Sequence, residues 1–180
     1  MDKETLAKVN RREQIIFGED YDANGADKFN AEYKKLNEVK EFNKEYFDAQ
    51  HALFSKYYVG GIRRFEHLSL EQLQQLVKEG FIDTEDYFNG CPTVGDFLKF
   101  VNGIKQYVAE NPDYTSDDFD IYFIGYAVDI SRDDYRVTIE GVKYSSRYKV
   151  DREILIKFMN FAKSADELDI NDCEGRAWWD

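Results

Sequence analysis

The stretch Asp120-Ile-Tyr-Phe-Ile-Gly-Tyr-Ala-Val-Asp-Ile130, Ser131-Arg132-Asp133-Asp134, Tyr135-Arg-Val-Thr-Ile-Glu-Gly-Val-Lys-Tyr144 sets two runs rich in apolar residues on either side of a polar break. It reads as a β-hairpin over 120–145 with a four-residue loop at 131–134. In that register Ile130 faces Tyr135, Val128 faces Val137 and Tyr126 faces Ile139, while Asp129 faces Arg136 on the other side. Apolar pairs on one face and an opposite-charge pair on the other are what cross-strand energetics favour. Four-residue loops are commonly built on a type I turn, which needs no glycine. Gly141 shifts the phase of the second arm, and a bulge is expected there.

Helices flank this hairpin. Residues 3–17 put Leu6, Val9, Glu13 and Ile16 on one side, and Gly18 ends the run. Residues 27–57 form the longest helical stretch, with Phe29, Tyr33, Leu36, Val39, Tyr46, Ala49, Leu53 and Tyr57 at rough helical spacing. Gly60-Gly61 then breaks the chain, and Arg63-Arg64 read as exposed turn residues. Ser69-Leu-Glu-Gln72 is a capping box, Leu68 with Leu73 a hydrophobic staple, and Gly80 a C-terminal cap. Leu70, Leu73, Leu76 and Val77 form that helix's buried face. A further helix starts at Thr93 with Asp96 three residues on, and carries Val94, Phe97, Leu98, Val101, Ile104 and Val108 inward until Asn111-Pro112 stops it. Tyr148-Lys-Val150 reads as a short strand. Asp151 caps a last helix bearing Ile154, Leu155, Phe158, Phe161 and Ala162. Asp166 to Asp172 reads as an acidic connection. The tail Cys173-Glu-Gly-Arg-Ala-Trp-Trp-Asp180 is expected to dock as an edge strand, because paired tryptophans seldom sit on a frayed end. The expected class is α+β, with helices packed against a small antiparallel sheet centred on the hairpin. The 180 residues fit one domain, helical over 1–110, with hairpin, helix and tail over 111–180.

Charge narrows the function. The net charge is -12, and it is uneven: residues 1–78 carry 14 acids and 13 bases, residues 79–180 carry 22 acids and 11 bases. Direct nucleic-acid binding is disfavoured, because phosphate contacts need clustered Lys and Arg. An acidic face suits a basic partner. The candidate partner-binding residues are Asp113, Asp117, Asp118 and Asp120 on the approach to the hairpin, Asp133 and Asp134 at its tip, and Glu167, Asp169 and Asp172 before the tail. No apolar run of about 18 residues exists, so no membrane span is expected. With no apolar leader and two cysteines lacking metal-ligand spacing, Cys91 and Cys173 read as reduced thiols of a cytoplasmic protein.

No catalytic constellation is legible, and no cofactor or metal is expected. The histidines, His51 and His67, have no zinc-type partner spacing. Asp20, Asp22, Asn24 and Gly25 begin like a calcium loop, but Ala31 stands where the bidentate glutamate is required. Asp129, Asp133, Asp134 and Glu140 are the acids that a metal-dependent nuclease would use, although Glu140 reads as an exposed strand position and the two aspartates as turn residues.

The stretch from Gly125 to Gly141 resembles a group of uncharacterised small acidic proteins of bacterial conjugative and mobile elements. Leu76-Val-Lys-Glu-Gly-Phe-Ile-Asp83, Cys91-Pro-Thr-Val-Gly-Asp-Phe-Leu98 and Arg176-Ala-Trp-Trp-Asp180 are similar to that group too. The resemblance implies a context of counter-defence, anti-CRISPR or antirestriction, in which carboxylates stand in for phosphates. The expected function is a non-enzymatic acidic protein that inhibits a basic, nucleic-acid-binding bacterial defence effector. The alternatives are a metal-dependent nuclease acting on RNA or DNA, and a structural or regulatory interaction module.

Overall fold

The computed structural model describes residues 3–18, 58–59, 62–112, 114, 118–128 and 132–180. Its elements in chain order are α1 (Lys3–Phe17), β1 (Tyr58–Val59), β2 (Ile62–Leu68), α2 (Leu70–Lys78), α3 (Val94–Glu110), β3 (Phe119–Val128), β4 (Val137–Ser146), α4 (Arg152–Phe161), β5 (Glu167–Ile170) and β6 (Glu174–Trp178). The expected long helix over 27–57, the calcium-like loop, and Asp113, Asp117 and Asp129 lie outside the described residues. Mixed helices and an open antiparallel sheet make the class α+β. Two compact units are present: 1–64 with 127–136, and 65–126 with 137–180.

In the second unit the strands run in the order β2-β3-β4-β6-β5. Local chemistry sets its helices. Ser69 Oγ accepts the Gln72 amide at 3.2 Å while the Gln72 side chain accepts the Ser69 amide at 2.8 Å. Thr93 and Asp96 exchange the same two bonds. Each box satisfies two amides that a helix start leaves orphaned. Gly80, at φ +75, closes α2: its amide reaches the Val77 carbonyl and the Phe81 amide reaches Leu76. Asp151 Oδ1 accepts the Ile154 amide at 3.0 Å, and its other oxygen accepts the Tyr107 hydroxyl at 2.6 Å, tying α4 to α3.

Aromatic packing joins α3 and α4 to one face of the sheet. The Phe97 ring meets Phe123, Phe161 and Trp179 edge-on, with the Trp179 centroid 5.5 Å away. Tyr144 packs against Phe119 and Phe158. Trp179 is 1% exposed, and its indole N–H donates to Ser164 Oγ at 3.2 Å. Removing such a side chain costs about 3–5 kcal/mol.

Four expectations are corrected. First, the tail is not an edge strand: β6 lies inside the sheet, pairing with β4 from Gly141↔Trp178 to Ser145↔Glu174, and with β5 from Glu167↔Trp178 to Ile170↔Gly175. The edge is β5, drawn from the acidic connection. Tyr148–Val150 forms no strand. Second, Glu140 is buried, with Thr138, because every residue from Val137 to Val142 is enclosed; its carboxylate accepts the Asn89 amide nitrogen at 3.1 Å. Third, Arg63 is not a surface turn residue but a buried position of β2, whose other buried residues are Phe65 and Leu68. Fourth, the Val128 amide donates to the Arg136 carbonyl at 2.8 Å, one residue off the expected Val128–Val137 pairing. With Val137 to Val142 enclosed on both sides, inside-outside alternation no longer selects the register there. Gly141 sits in a regular ladder with β6; an added Cβ would lie 2.7 Å from the Ala177 carbonyl and 2.9 Å from the Trp178 ring, so close approach demands the glycine.

In the first unit, α1 buries Val9, Ile15 and Ile16 together with Arg12 and Glu13. The Arg12 guanidinium pairs with the Glu13 carboxylate, donates to the Val128 carbonyl at 3.0 Å and the Arg136 carbonyl at 3.3 Å, and lies 4.1 Å over the Tyr135 ring. It clamps both sides of the loop at one point. Replacing Arg12 with Met strands a buried carboxylate, so urea denaturation should show a loss of about 3–5 kcal/mol. The double variant Arg12→Met/Glu13→Leu should recover most of that loss.

Candidate functional site

The acids singled out in the sequence fall into separate local settings. At the loop, Asp134 is held by the Arg132 guanidinium through bonds of 2.8 and 3.0 Å and by Arg136 at 2.9 Å. The hydrogen bond from Arg132, followed by that from Arg136, pulls the Asp134 carboxyl down to about 2. Asp133 is exposed and forms no ion pair among the described residues. Two arginines therefore engage Asp134, and the tip is not a bare anionic one.

On the approach to β3, the Asp118 carbonyl accepts from Ser146 Oγ and from the Arg147 amide, which is a structural use of its backbone. Asp120 is exposed on β3. Around the tail, Glu167 accepts from Arg176 at 2.7 Å, and Asp172 accepts from Lys149 at 2.5 Å. The Lys149 contact lowers the Asp172 carboxyl. Asp169 is exposed and, like Asp120, meets no cation among the described residues. Asp166 and Glu174, next to these in sequence, are exposed too. Asp166 accepts the Asp180 amide at 2.9 Å.

A polar cleft on the sheet was not anticipated. Lys143 and Arg176 are direct partners across β4 and β6, and Arg176 and Asp169 across β6 and β5, so the three side chains share one face. Lys143 Nζ lies 3.0 Å from His67 Nε2 and 3.6 Å from the Glu66 carboxylate, and the His67 ring meets Tyr122 edge-on. Together they line a cavity of about 370 Å³. The contributing residues come from five strands with no common spacing. Its cations lie against Glu66 and Glu167, and Asp169 and Glu174 add further negative charge, so the cleft is no phosphate cradle. A protonated Lys143 donates to His67 Nε2, which places the proton of a neutral His67 ring on Nδ1.

Chemistry elsewhere is muted. Cys91 is buried, its thiol donates to the Ile139 carbonyl at 3.3 Å, and burial pushes the thiol up, away from nucleophilic use. Both cysteines are unbridged. Among the described residues no group of three His, Cys, Asp or Glu side chains could hold a metal ion, and no helix is long and apolar enough to cross a membrane.

No family model matches the chain, and neither curated proteins nor solved structures provide a match.

The loop yields a pH prediction. The folded carboxyl of Asp134 lies below its ordinary value of 3.8, so its contribution is fully present above about pH 4 and is lost as pH falls towards 2. The difference in melting temperature between the wild type and Asp134→Asn should therefore persist at neutral pH and close below about pH 2. A difference that does not change with acid would contradict the arginine pairing.

Proposed function

We propose that this chain is a non-enzymatic acidic binding protein. It occupies the nucleic-acid site of a basic bacterial protein and acts as a mobile-element inhibitor of a defence effector, anti-CRISPR or antirestriction. The observation that carries the reading is the acidic margin of the sheet. The outermost strand β5 exposes Glu167 and Asp169, with Asp166, Asp172 and Glu174 at its flanks. Alternate residues on a strand stand about 6.6 Å apart, so these carboxylates form a spaced array on a fixed backbone. Ordering such an array in the complex costs little entropy, since β5 is already paired along its length with β6.

The hairpin tip drops out of this reading as the leading contact, because Arg132 and Arg136 occupy Asp134. The edge takes its place. Two of its acids are matched by Arg176 and Lys149, while Asp169 and Glu174 are not. Resemblance to proteins of conjugative elements supplies the biological context. The absence of a legible nucleophile or metal set in the sequence weighs against the nuclease alternative.

Capture from a bacterial lysate tests the proposal. The immobilised protein should retain a basic protein that is released by salt and by added duplex DNA or RNA. The variant Glu167→Gln/Asp169→Asn/Glu174→Gln should keep its melting temperature and lose about tenfold in affinity for that protein. Binding that survives the nucleic-acid competitor and the triple variant unchanged would exclude mimicry at this edge.

A further inference from the structure

Between α3 and α4 the rim of the surface is rich in lysine. Between the two helices runs an open groove of about 770 Å³. Its floor is apolar: Phe100 and Phe161 stack with centroids 4.0 Å apart, beside Ile104. Both rings are half-buried, so the floor is accessible from outside. Its rim holds Lys99, Lys157 and Lys163. Lys157 pairs with Glu153 at 2.8 Å, whereas Lys99 and Lys163 are matched by no carboxylate among the described residues. Asp96 is the acid in the lining, and it is engaged in the Thr93 capping box. In a chain of net charge -12, an apolar floor with this rim is a local reversal of sign.

A second observation comes from Gly103. It lies in the middle of α3, on the groove, and is exposed. A glycine there weakens a helix relative to alanine. Nothing packed against α3 in the described structure requires it: beyond the helix's own backbone, a Cβ at Gly103 would meet no atom within 4 Å. What a missing side chain offers at an exposed groove is close approach of another backbone. A helix laid between two helices is the geometry that uses such a gap, with apolar anchors at helical spacing meeting the aromatic floor.

We infer that the groove between α3 and α4 is a second binding site, separate from the acidic edge, that takes an acidic amphipathic helix from a partner protein. Glutamates flanking the apolar face of that helix meet Lys99 and Lys163, and its backbone passes over Gly103. An anionic membrane is a poorer occupant, since the whole chain would be repelled by it. A second copy is poorer for the same reason.

The probe is a fluorescein-labelled amphipathic peptide of about five turns with a Leu and Phe face and glutamates opposite. A control peptide carries Lys in place of Glu. Fluorescence anisotropy should give a micromolar Kd for the acidic peptide and at least about tenfold weaker binding for the basic one. The variant Lys99→Glu/Lys163→Glu should weaken the acidic peptide by about tenfold or more. Gly103→Ala should raise the melting temperature by about 1–3 °C and still weaken the peptide, a split that damage to the fold would not produce. Lys78→Glu, away from the groove, should leave binding unchanged. The inference is overturned if the acidic peptide fails to bind, if both peptides bind alike, or if the double lysine variant binds as the wild type does. It is equally overturned if Gly103→Ala abolishes a dimer seen by sedimentation, which assigns the groove to a second copy. Lysine-dependent binding to phosphatidylglycerol vesicles without peptide binding would assign it to a membrane surface. Success or failure here leaves the acidic edge, probed by Glu167, Asp169 and Glu174, to its own test.

Discussion

The second unit depends on the insertion of its last strand. β6 supplies hydrogen bonds to β4 on one side and β5 on the other, so both neighbours would be left with an open edge without it. The same strand delivers Trp178 and Trp179 into the fold on successive positions. Trp179 goes among Phe97 and Phe161 under the helices, while Trp178 packs against Tyr126. Alternation along a strand makes this possible: neighbouring side chains point to opposite faces. A pair of large aromatics can thus fasten both faces of a sheet with a few residues. The carboxylates of the β5 margin inherit their fixed positions from this strand.

Much of the fold was legible because its signals are local. The Ser69 capping box, the Thr93 and Asp151 caps and the Gly80 terminus involve residues three to five apart, and each forms where the sequence places it. What was missed depends on partners distant in sequence. β2 is rich in charge, and its reading as a strand rests on Arg63 being buried, which periodicity weighs against. β5 looks like solvated acid until β6 is there to pair with it. Alternation points Glu140 outward because it assumes one wet face, whereas this part of β4 is enclosed on both.

The acidic residues follow the same logic. A sequence states how many charges a region carries but not which of them meet. In sequence Asp134 is a turn aspartate at a hairpin tip, yet the arginines two residues on either side occupy it. Glu167 lies opposite a strand that carries Arg176. The charge left for a partner is that of exposed positions such as Asp169 and Glu174, together with the lysines over the helices. Acids on an outermost strand have a further physical effect, since they discourage addition of another strand. The margin is thereby suited to side-chain recognition rather than to backbone pairing.

Native-state hydrogen exchange measures how firmly β6 holds the sheet that presents the acidic margin. The amides of β6 that bond to β4 and β5 should exchange only through global unfolding, with the same dependence on denaturant as the amides of β4. If they exchange through a local opening at far lower free energy, while β4 stays protected, the carboxyl-terminal strand is a loosely docked tail and does not hold the sheet together.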